Sequence, residues 1–378
     1  MSRGLYIHVP FCARACPYCD FDFVVGRAPD LDGYLEGLSR EADQRGEEAA
    51  SGRRFATVYV GGGTPSSLGA AGLSALMRWI ERRFPGAGGD EITVEVNPEH
   101  ADMRLLGALA AAGVGRISMG IQTFEDAGLR ELGRAHSGAE AAVGLQTART
   151  QGLRVSSDLI VGWRGQTPTS LRDDVARAID GGAEHVSVYA LTIEERSAWP
   201  KLVRRGLRVL PDDDHQAELL VVAEEALTAA GFTHYEVASY ALGGAQARHN
   251  MLYWTWQEYL GLGPSGSSAR YARDGSVRRR TNARGLAAWA AGAPPEEVAL
   301  GPVEAAIEGL WVGLRRLTGL EVEDFLARFP AVDRGWIERR SASQRARGNL
   351  EWAEQGRLLR VVAGRWLWHD SIGADLLG

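Results

Sequence analysis

The chain has 378 residues, and 45% of them are hydrophobic, which is enough to bury one large domain and a smaller one. The formal net charge is −6, with acidic and basic residues interspersed, so no basic footprint for nucleic acid is present. No apolar stretch approaches the roughly 20 residues that span a bilayer. The first ten residues already have the pattern of a strand and a motif, so we expect no signal peptide and a cytosolic location.

Short β-rich runs alternate with helical stretches through the first half of the chain. Apolar residues recur every three or four positions in the stretches 68–84 and 169–182, as in amphipathic helices. This alternation is typical of a parallel α/β sheet or barrel. Six strands are predicted, at residues 5–9, 57–60, 92–96, 116–120, 155–160 and 186–189.

All three cysteines of the chain lie within eight residues, directly behind the first predicted strand. Cys12, Cys16 and Cys19 have the spacing C-x3-C-x2-C, so three thiolates can share one metal cluster. A 4Fe-4S cluster is normally held by four cysteines, and one iron would therefore stay open to an exchangeable ligand. The alternatives are a zinc site completed by His8, with an unusual ligand spacing, and a Cys16/Cys19 redox pair, which leaves Cys12 unexplained. A disulfide framework does not suit an odd number of cysteines.

Polar and glycine-rich signals stand at the C-terminal ends of the predicted strands, which form the catalytic face of a β/α barrel. The glycine turn 61–63 follows the second strand and lets a ligand approach the backbone, although such turns are often only tight connections. Glu95 ends the third strand, Gln122 follows the fourth, and Asp158 lies in the fifth. Glu95 could instead be a salt-bridge partner and Asp158 a helix cap. Their shared face favours a binding site.

The segments YIHVPFC at 6–12 and CPYCDF at 16–21 resemble the cluster loop of radical S-adenosylmethionine (SAM) proteins, specifically the oxygen-independent coproporphyrinogen III oxidase family. The resemblance covers nearly the whole chain and implies an α/β fold, a partial (β/α)6 barrel of TIM type with a small C-terminal α+β domain. Further motifs in the family's order are GGGTPS (61–66), EVNP (95–98), GIQTF (120–124), LGRAH (132–136) and DLIVGWRGQT (158–167).

The resemblance also implies the cofactors and their residues. The open iron of a 4Fe-4S cluster on the three cysteines would be chelated by the amino and carboxylate groups of SAM. In related enzymes, reductive cleavage of SAM yields methionine and a 5'-deoxyadenosyl radical. Carboxylates suit ribose hydroxyls and an ammonium, and arginine suits a carboxylate. The residues implied at this site are Tyr6, Tyr18, Gly62, Gly63, Thr64, Glu95, Gln122, Arg134 and Asp158.

Two departures from the oxidase pattern indicate another branch of the family. The oxidases have a further cysteine two positions after the third, where this chain has Phe21, and a longer segment ahead of the first strand. A chain without both resembles the HemW-type heme chaperones. In the corresponding GPGAHS-like loop, Ser267 stands where relatives commonly have a histidine.

The segment HNMLYW at 249–254 matches the HNxxYW signature that this branch associates with heme binding. The implied residues are His249, Asn250, Tyr253 and Trp254, and imidazole or phenolate could be an axial ligand of the iron. Taken alone, these residues favour a different interpretation, an aromatic core patch in which His249 is a satisfied polar residue. The resemblance favours heme.

Three parts of the chain are predicted. Residues 1–230 form the radical SAM barrel, 231–299 contain the heme motif and a linker at about 274–295, and 300–378 form a winged-helix-like domain. In this last part we expect helices at 305–317 and 322–329 and a β-like end at 358–368. The short arginine run 278–280 is expected in a solvated loop.

The leading hypothesis is a cytosolic heme chaperone that carries a 4Fe-4S cluster, SAM and heme, and that transfers heme to an acceptor protein which the sequence does not identify. A reductant for the cluster is a second expected partner. The alternative is a radical enzyme, an oxygen-independent coproporphyrinogen III oxidase that produces protoporphyrinogen IX by decarboxylation. A third hypothesis is a radical enzyme that acts on another tetrapyrrole or on a methyl acceptor.

Overall fold

The structure, a computed structural model, describes residues 3–26, 29–49 and 54–378. In chain order the strands are β1 (Arg3–Val9), β2 (Phe11–Cys12), β3 (Val24–Val25), β4 (Thr57–Gly62), β5 (Glu91–Val96), β6 (Arg116–Gln122), β7 (Arg154–Val161), β8 (His185–Ala190), β9 (Thr233–Glu236), β10 (Ser239–Ala241), β11 (Glu258–Leu262), β12 (Ser267–Tyr271), β13 (Val277–Thr281), β14 (Glu296–Leu300), β15 (Leu320–Glu321), β16 (Leu350–Ala353) and β17 (Leu358–Val361). The helices are α1 (Leu31–Gln44), α2 (Gly69–Arg83), α3 (Met103–Ala111), α4 (Asp126–Leu132), α5 (Gly138–Thr150), α6 (Pro168–Asp180), α7 (Trp199–Arg204), α8 (Asp213–Ala229), α9 (Arg248–Trp254), α10 (Leu286–Ala290), α11 (Pro302–Gly313), α12 (Val322–Arg328), α13 (Arg334–Ala346) and α14 (His369–Leu377).

One twelve-stranded sheet dominates the molecule, with the strand order β14-β13-β12-β11-β1-β4-β5-β6-β7-β8-β10-β9. Its central strands β1, β4, β5, β6, β7 and β8 run parallel, and they contain all six predicted strands. Helices lie between consecutive parallel strands, which gives the predicted partial (β/α)6 barrel. The order is open at both ends, where β9, β10, β12, β13 and β14 pair antiparallel.

The first strand shows how the sequence orients side chains in this barrel. Leu5, Ile7 and Val9 are completely buried in the main core together with residues of the surrounding helices. Because side chains of a strand alternate between its two faces, Tyr6 and His8 point the other way, into the barrel. The interior of the barrel is therefore polar and aromatic, and the apolar core lies between the sheet and its helices.

Helix α6 illustrates how local signals set an element's start. Thr167 and Ser170 form a reciprocal capping pair, and Pro168 occupies the first turn, where its missing N–H costs nothing. The helix begins one residue before the predicted stretch 169–182 and ends two residues before its end. The predicted stretch 68–84 is likewise present, as α2.

The predicted linker at 274–295 is wrong in its central part, which contains β13 and α10. The arginine run 278–280, expected in a loop, lies within β13. Ion pairs explain how a charged strand stays in the sheet: Arg279 pairs with Glu308 of α11, and Arg280 pairs with Glu297 of the neighbouring strand β14 at 3.7 Å.

The C-terminal part has a core of its own, which includes Leu310, Phe325 and Ile337. Its helices surround a small antiparallel sheet with the order β15-β17-β16. The two predicted helices are present as α11 and α12. The predicted β-like end is correct only to Val361, because the chain turns at Gly364 (φ +77) and continues into α14. The winged-helix assignment stays a prediction. Among the helices described, none is long and apolar enough to cross a membrane.

Candidate functional site

The C-terminal ends of the barrel strands surround a cavity of about 460 Å³, called the cluster cavity below. Parallel strands end at the same edge of a sheet, so residues far apart in the chain meet here. All three cysteines line this cavity. Eight of the predicted SAM residues also line it: Tyr18, Gly62, Gly63, Thr64, Glu95, Gln122, Arg134 and Asp158.

The cysteine loop spans the segment between β2 and β3. The backbone N–H of Cys19 donates to the carbonyl of Cys16 at 3.1 Å, and the hydroxyl of Thr64 lies 3.2 Å from Sγ of Cys12. Burial raises the pKa of Cys12 and raises that of Cys19 to about 11. Binding of iron here must therefore displace thiol protons.

All three cysteines are free thiols. Among residues 3–26, 29–49 and 54–378, no three His, Cys, Asp or Glu side chains converge closely enough to hold a single metal ion. The cysteines of a 4Fe-4S cluster each bind a different iron.

His8, the fourth ligand of the zinc alternative, is engaged elsewhere. Its Nε2 lies 2.8 Å from the carbonyl oxygen of Asp22, and its Nδ1 lies 3.1 Å from the hydroxyl of Tyr6. The ring packs against Gly62, where an added Cβ would lie 2.7 Å from it. His8 thus connects the cysteine loop to β1 and to the glycine turn, and both of its ring nitrogens are used within the protein.

The glycine turn at the end of β4 offers a ligand space and not backbone donors. The N–H of Gly63 donates to the carbonyl of Val9, and the N–H of Thr64 donates to that of Phe11, both at 2.8 Å. A Cβ on Gly63 would lie 3.0 Å from each of these two carbonyl oxygens and 3.2 Å from Sγ of Cys12. These two N–H groups are therefore used within the protein, and ligand binding by the backbone of Gly62 and Gly63 with Thr64 stays a prediction.

Two buried carboxyl groups line the cavity. Glu95 accepts hydrogen bonds from the Tyr59 hydroxyl at 2.8 Å and from the Gly62 N–H at 3.1 Å, and Asp158 accepts one from the Ser118 hydroxyl at 3.0 Å. Burial raises the pKa of Glu95 to about 7 and that of Asp158 to about 6. Both groups can accept further hydrogen bonds from ribose hydroxyls or an ammonium group.

Arg134 and Gln122 complete the upper wall of the cavity. Arg134 donates to Oδ1 of Asn97 at 2.9 Å and to the carbonyl of Gly120 at 3.0 Å, and its Nη1 lies 3.8 Å from Sγ of Cys16. Its Nε is buried without a hydrogen-bond partner among the described residues. Gln122 has a φ of +67, a strained conformation for a residue other than glycine and one that concentrates at binding sites.

The heme motif lies on α9, which closes the opposite end of the barrel. Its first N–H groups, those of Arg248 and His249, donate to the carboxylate of Glu91 at 3.1 Å each. His249 is 1% exposed, with Nδ1 at 2.7 Å from the Thr57 hydroxyl and Nε2 at 2.9 Å from the Tyr253 hydroxyl. Burial lowers the pKa of His249 to about 3. The imidazole is a satisfied, neutral group inside the protein, as the local residues alone predicted.

A second cavity, of about 340 Å³, lies between the sheet and α11, and it is called the aromatic cavity below. It receives Tyr253 and Trp254 of the motif, whereas Asn250 lines the cluster cavity and His249 lines neither. Ser267, the departure from the usual histidine, also faces the aromatic cavity. Further side chains of its wall are Trp256, Tyr259, Tyr271, Arg279 and Glu308.

Tyr6, predicted at the SAM site, lines the aromatic cavity instead. The reason is its position in β1, where its ring stacks on Tyr59 with centroids 6.2 Å apart, and Tyr59 in turn faces the cluster cavity. The His249 ring lies 5.3 Å from both Tyr59 and Tyr253. A single layer of rings therefore separates the two cavities.

Sequence reasoning missed several residues of the cluster cavity, among them Arg116, Ser118 and Ser187. The signal for Arg116 was available, since it is a charged residue at the start of a strand that is otherwise predicted to be buried. The two serines gave no signal, because small polar residues are common in strands of every kind.

Comparison with known proteins agrees with this geometry. Residues 6–178 match the Radical SAM superfamily. The heme chaperone HemW of Lactococcus lactis is 33% identical over 336 residues, which cover 86% of this chain and 85% of that protein. The chain belongs to the HemW family. HemW of Escherichia coli is 36% identical over 74% of each chain.

The solved structure of coproporphyrinogen III oxidase (HemN) from Escherichia coli has the same fold as this HemW-family chain. It superimposes with a TM-score of 0.81 and covers 99% of this chain and 90% of its own, at 22% identity. At that level of identity the likeness extends to the fold alone.

Membership in the radical SAM superfamily implies a 4Fe-4S cluster and SAM, and the cluster cavity fits both. Cys12, Cys16 and Cys19 would hold three irons. The unpartnered Nε of Arg134 and the two buried carboxyls provide polar groups for a charged, hydroxyl-bearing ligand. When bound, the cluster and SAM together supply one-electron chemistry, and the protein residues orient the ligand and exclude water.

Proposed function

We propose that this chain is a heme chaperone, which binds heme and transfers it to an acceptor protein. Heme binding is supported by the names of the HemW relatives. The acceptor would be a protein that uses heme as its prosthetic group. A reductant that delivers electrons to the cluster is the second proposed partner.

The observation that carries the proposal is the exposure of Tyr253 and Trp254 to the aromatic cavity. A planar, apolar macrocycle packs well on aromatic rings, and a tyrosine oxygen can bind heme iron. The neighbouring tyrosines and tryptophans enlarge this surface, and the Arg279–Glu308 pair gives it a charged rim. Tyr253 thus lines the cavity, while His249 acts through its hydrogen bond to the Tyr253 hydroxyl.

We further propose that the cluster and SAM regulate the transfer. The rings of Tyr6, Tyr59, His249 and Tyr253 contact one another between the two cavities. A change in the cluster cavity would move rings that also border the aromatic cavity. The cytosol, where thiols stay reduced, is the proposed compartment.

The proposed division of the chain follows the sequence prediction, with a radical SAM barrel at 1–230, a motif segment at 231–299 and a winged-helix-like domain at 300–378. The segment 231–299 also contributes six strands, β9 to β14, to the main sheet. It would therefore hold the heme motif rigidly against the barrel.

The test is a hemin titration of the anaerobically reconstituted protein, followed by visible spectroscopy. We expect one heme per chain, an affinity at least tenfold weaker for Tyr253→Phe, and an altered Soret band. The matched control is Tyr189→Phe, because Tyr189 lines the cluster cavity and not the aromatic one. Absence of heme binding, or equal effects of the two substitutions, would contradict the proposal.

The oxidase remains the second candidate, because the residues implied for SAM binding surround one cavity almost completely. Phe21, which stands in place of the oxidases' further cysteine, lies at this cavity and is 63% exposed. If the reconstituted protein converts coproporphyrinogen III with consumption of SAM, this candidate replaces the chaperone.

A further inference from the structure

The floor of the cluster cavity contains a buried arginine that the proposed function does not use. Arg116 is the first residue of β6, so it lies at the end of the barrel opposite the cysteine loop. It is 4% exposed, and its side chain lines the cavity.

Arg116 has almost no partners for its charge. A guanidinium has five N–H donors, yet the one side-chain hydrogen bond of Arg116 within the described chain is a long one, from Nη1 to the Thr93 hydroxyl at 3.5 Å. No described carboxylate forms an ion pair with it. Asp158 and Glu95 line the same cavity and accept hydrogen bonds from the hydroxyls of Ser118 and Tyr59.

Burial removes much of the hydration of this cation. Its charge acts on Asp158 without an ion pair: burial raises the pKa of that carboxyl, and the Ser118 hydrogen bond and the charge of Arg116 oppose the rise. The charge of Arg116 also affects two neighbouring histidines. Burial is the largest cause of the lowered pKa values of His249 and His185, and the charge of Arg116 is the second largest cause. Neither histidine can compensate, since the ring nitrogens of both are already hydrogen-bonded.

Asn250 of α9 supplies a second set of donors at the same floor. Its side chain lines the cluster cavity and, in the part of the chain that the structure describes, makes no hydrogen bond. It follows His249, whose ring lies within range of the Arg116 charge. Both side chains line one cavity and have N–H groups without a printed partner in the described chain, and N–H donors are the groups that a carboxylate requires.

We propose that Arg116 and Asn250 form an anion subsite at the floor of the barrel that binds a carboxylate group. The carboxylate has two possible sources, a propionate side chain of heme or the carboxylate of an amino-acid ligand such as methionine. The heme source rests on the proposed function and requires a propionate to pass the ring layer into the cluster cavity, whereas the subsite itself does not rest on that function.

The first test measures thermal unfolding in sodium propionate and in sodium chloride at equal ionic strength. We expect propionate to raise the Tm of the wild-type protein by several degrees over chloride, because a ligand of the folded state stabilises it. Arg116→Met should abolish this difference and leave the Tm in chloride unchanged or higher, since a buried charge is gone. Asn250→Ala should reduce the difference.

Arg116→Lys is the second variant, in case Arg116→Met does not fold. Lysine keeps the positive charge but lacks the planar set of N–H donors of a guanidinium. It should preserve part of the propionate effect. An equal response of the wild-type protein to propionate and chloride would overturn the subsite. So would a propionate effect that survives in the methionine variant.

A second comparison identifies the source of the carboxylate. If heme supplies it, heme dimethyl ester should bind the wild-type protein more weakly than heme, and Arg116→Met should remove that difference. If an amino acid supplies it, methionine should raise the Tm more than methioninamide in the wild-type protein only. A protein that binds no heme but still responds to propionate would contradict the chaperone function and leave the subsite standing.

Discussion

The hydroxyl of Tyr253 lies 2.9 Å from Nε2 of the buried His249, and this hydrogen bond joins the interior of the barrel to the aromatic cavity. The other ring nitrogen of His249 bonds to Thr57 of β4, so the position of Tyr253 is linked to the barrel wall. The residues of the heme motif, which are adjacent in sequence, therefore lie at different places in the structure. Tyr253 and Trp254 face the aromatic cavity, and His249 supports Tyr253 from behind.

The first prediction concerns the pH dependence that His249 imposes on stability. Burial lowers its pKa to about 3, below the ordinary value of about 6.5 for the unfolded chain. Below about pH 6.5 the unfolded chain binds a proton that the folded protein does not bind. The free energy of unfolding should therefore decrease as the pH falls toward 3, by up to about 1.4 kcal/mol per pH unit. His249→Gln should reduce this slope in urea unfolding between pH 6.5 and 4.

The same variant should be less stable than the wild-type protein at pH 8, by about 1–3 kcal/mol, because the bonds to Thr57 and Tyr253 are disturbed. Parallel stability curves of the two proteins below pH 6.5 would show that His249 is not buried in its neutral form. His215→Gln on α8 is the control, because it replaces a partly exposed histidine outside the barrel interior by the same residue.

Glu95 should impose a pH dependence of the opposite sign. Burial raises its pKa to about 7 in the folded protein, above the ordinary value of about 4.3 for glutamate. A raised pKa stabilises the fold below the unfolded value, and the contribution is lost as the pH rises through about 7. The stability of the wild-type protein relative to Glu95→Gln should therefore fall between pH 4.5 and 7 in the absence of ligand, by up to about 1.4 kcal/mol per pH unit. A difference that does not change with pH would rule out this shift.

Gly63 should be required for assembly of the cluster. The methyl group of Gly63→Ala would lie 3.0 Å from two backbone carbonyl oxygens and 3.2 Å from Sγ of Cys12, so the cysteine loop must move. We expect iron and sulfide after anaerobic reconstitution to fall to less than half of the wild-type content. Gly89→Ala is the control, because nothing lies within 4 Å of its added Cβ. Equal iron content in the two variants would argue against a tight loop.

Ser267 offers a gain of function in the aromatic cavity. Its side chain faces the same cavity as Tyr253, and Ser267→His would add an imidazole, a common ligand of heme iron. We expect heme binding to tighten by about tenfold, which corresponds to about 1.4 kcal/mol, with a spectrum typical of histidine ligation. Ser267→Asn adds bulk without a good iron ligand and should not tighten binding. An equal gain in both variants would indicate packing and not ligation.

The parallel barrel could be predicted from the sequence because its signals are local. Each of its strands is a short β-rich run, and capping residues such as Thr167 mark a helix start within a few positions. The strand β13 was missed for the opposite reason. Its arginine run is typical of an exposed loop. The ion pairs that hold it in the sheet involve Glu308 on α11 and Glu297 on β14, which a local sequence pattern does not reveal.

The sequence by itself determined the cysteine spacing, the strand ends that carry Glu95, Gln122 and Asp158, and the family. The site positions depend only on residue type and on place along a strand, because the C-terminal ends of parallel strands lie at the same edge of the sheet. Only the tertiary structure decided that Tyr6 faces the aromatic cavity, that His249 is enclosed, and that Arg116 lies buried at the floor. The direction of a side chain inside a barrel depends on which neighbours fill the remaining space, and those neighbours come from distant parts of the chain.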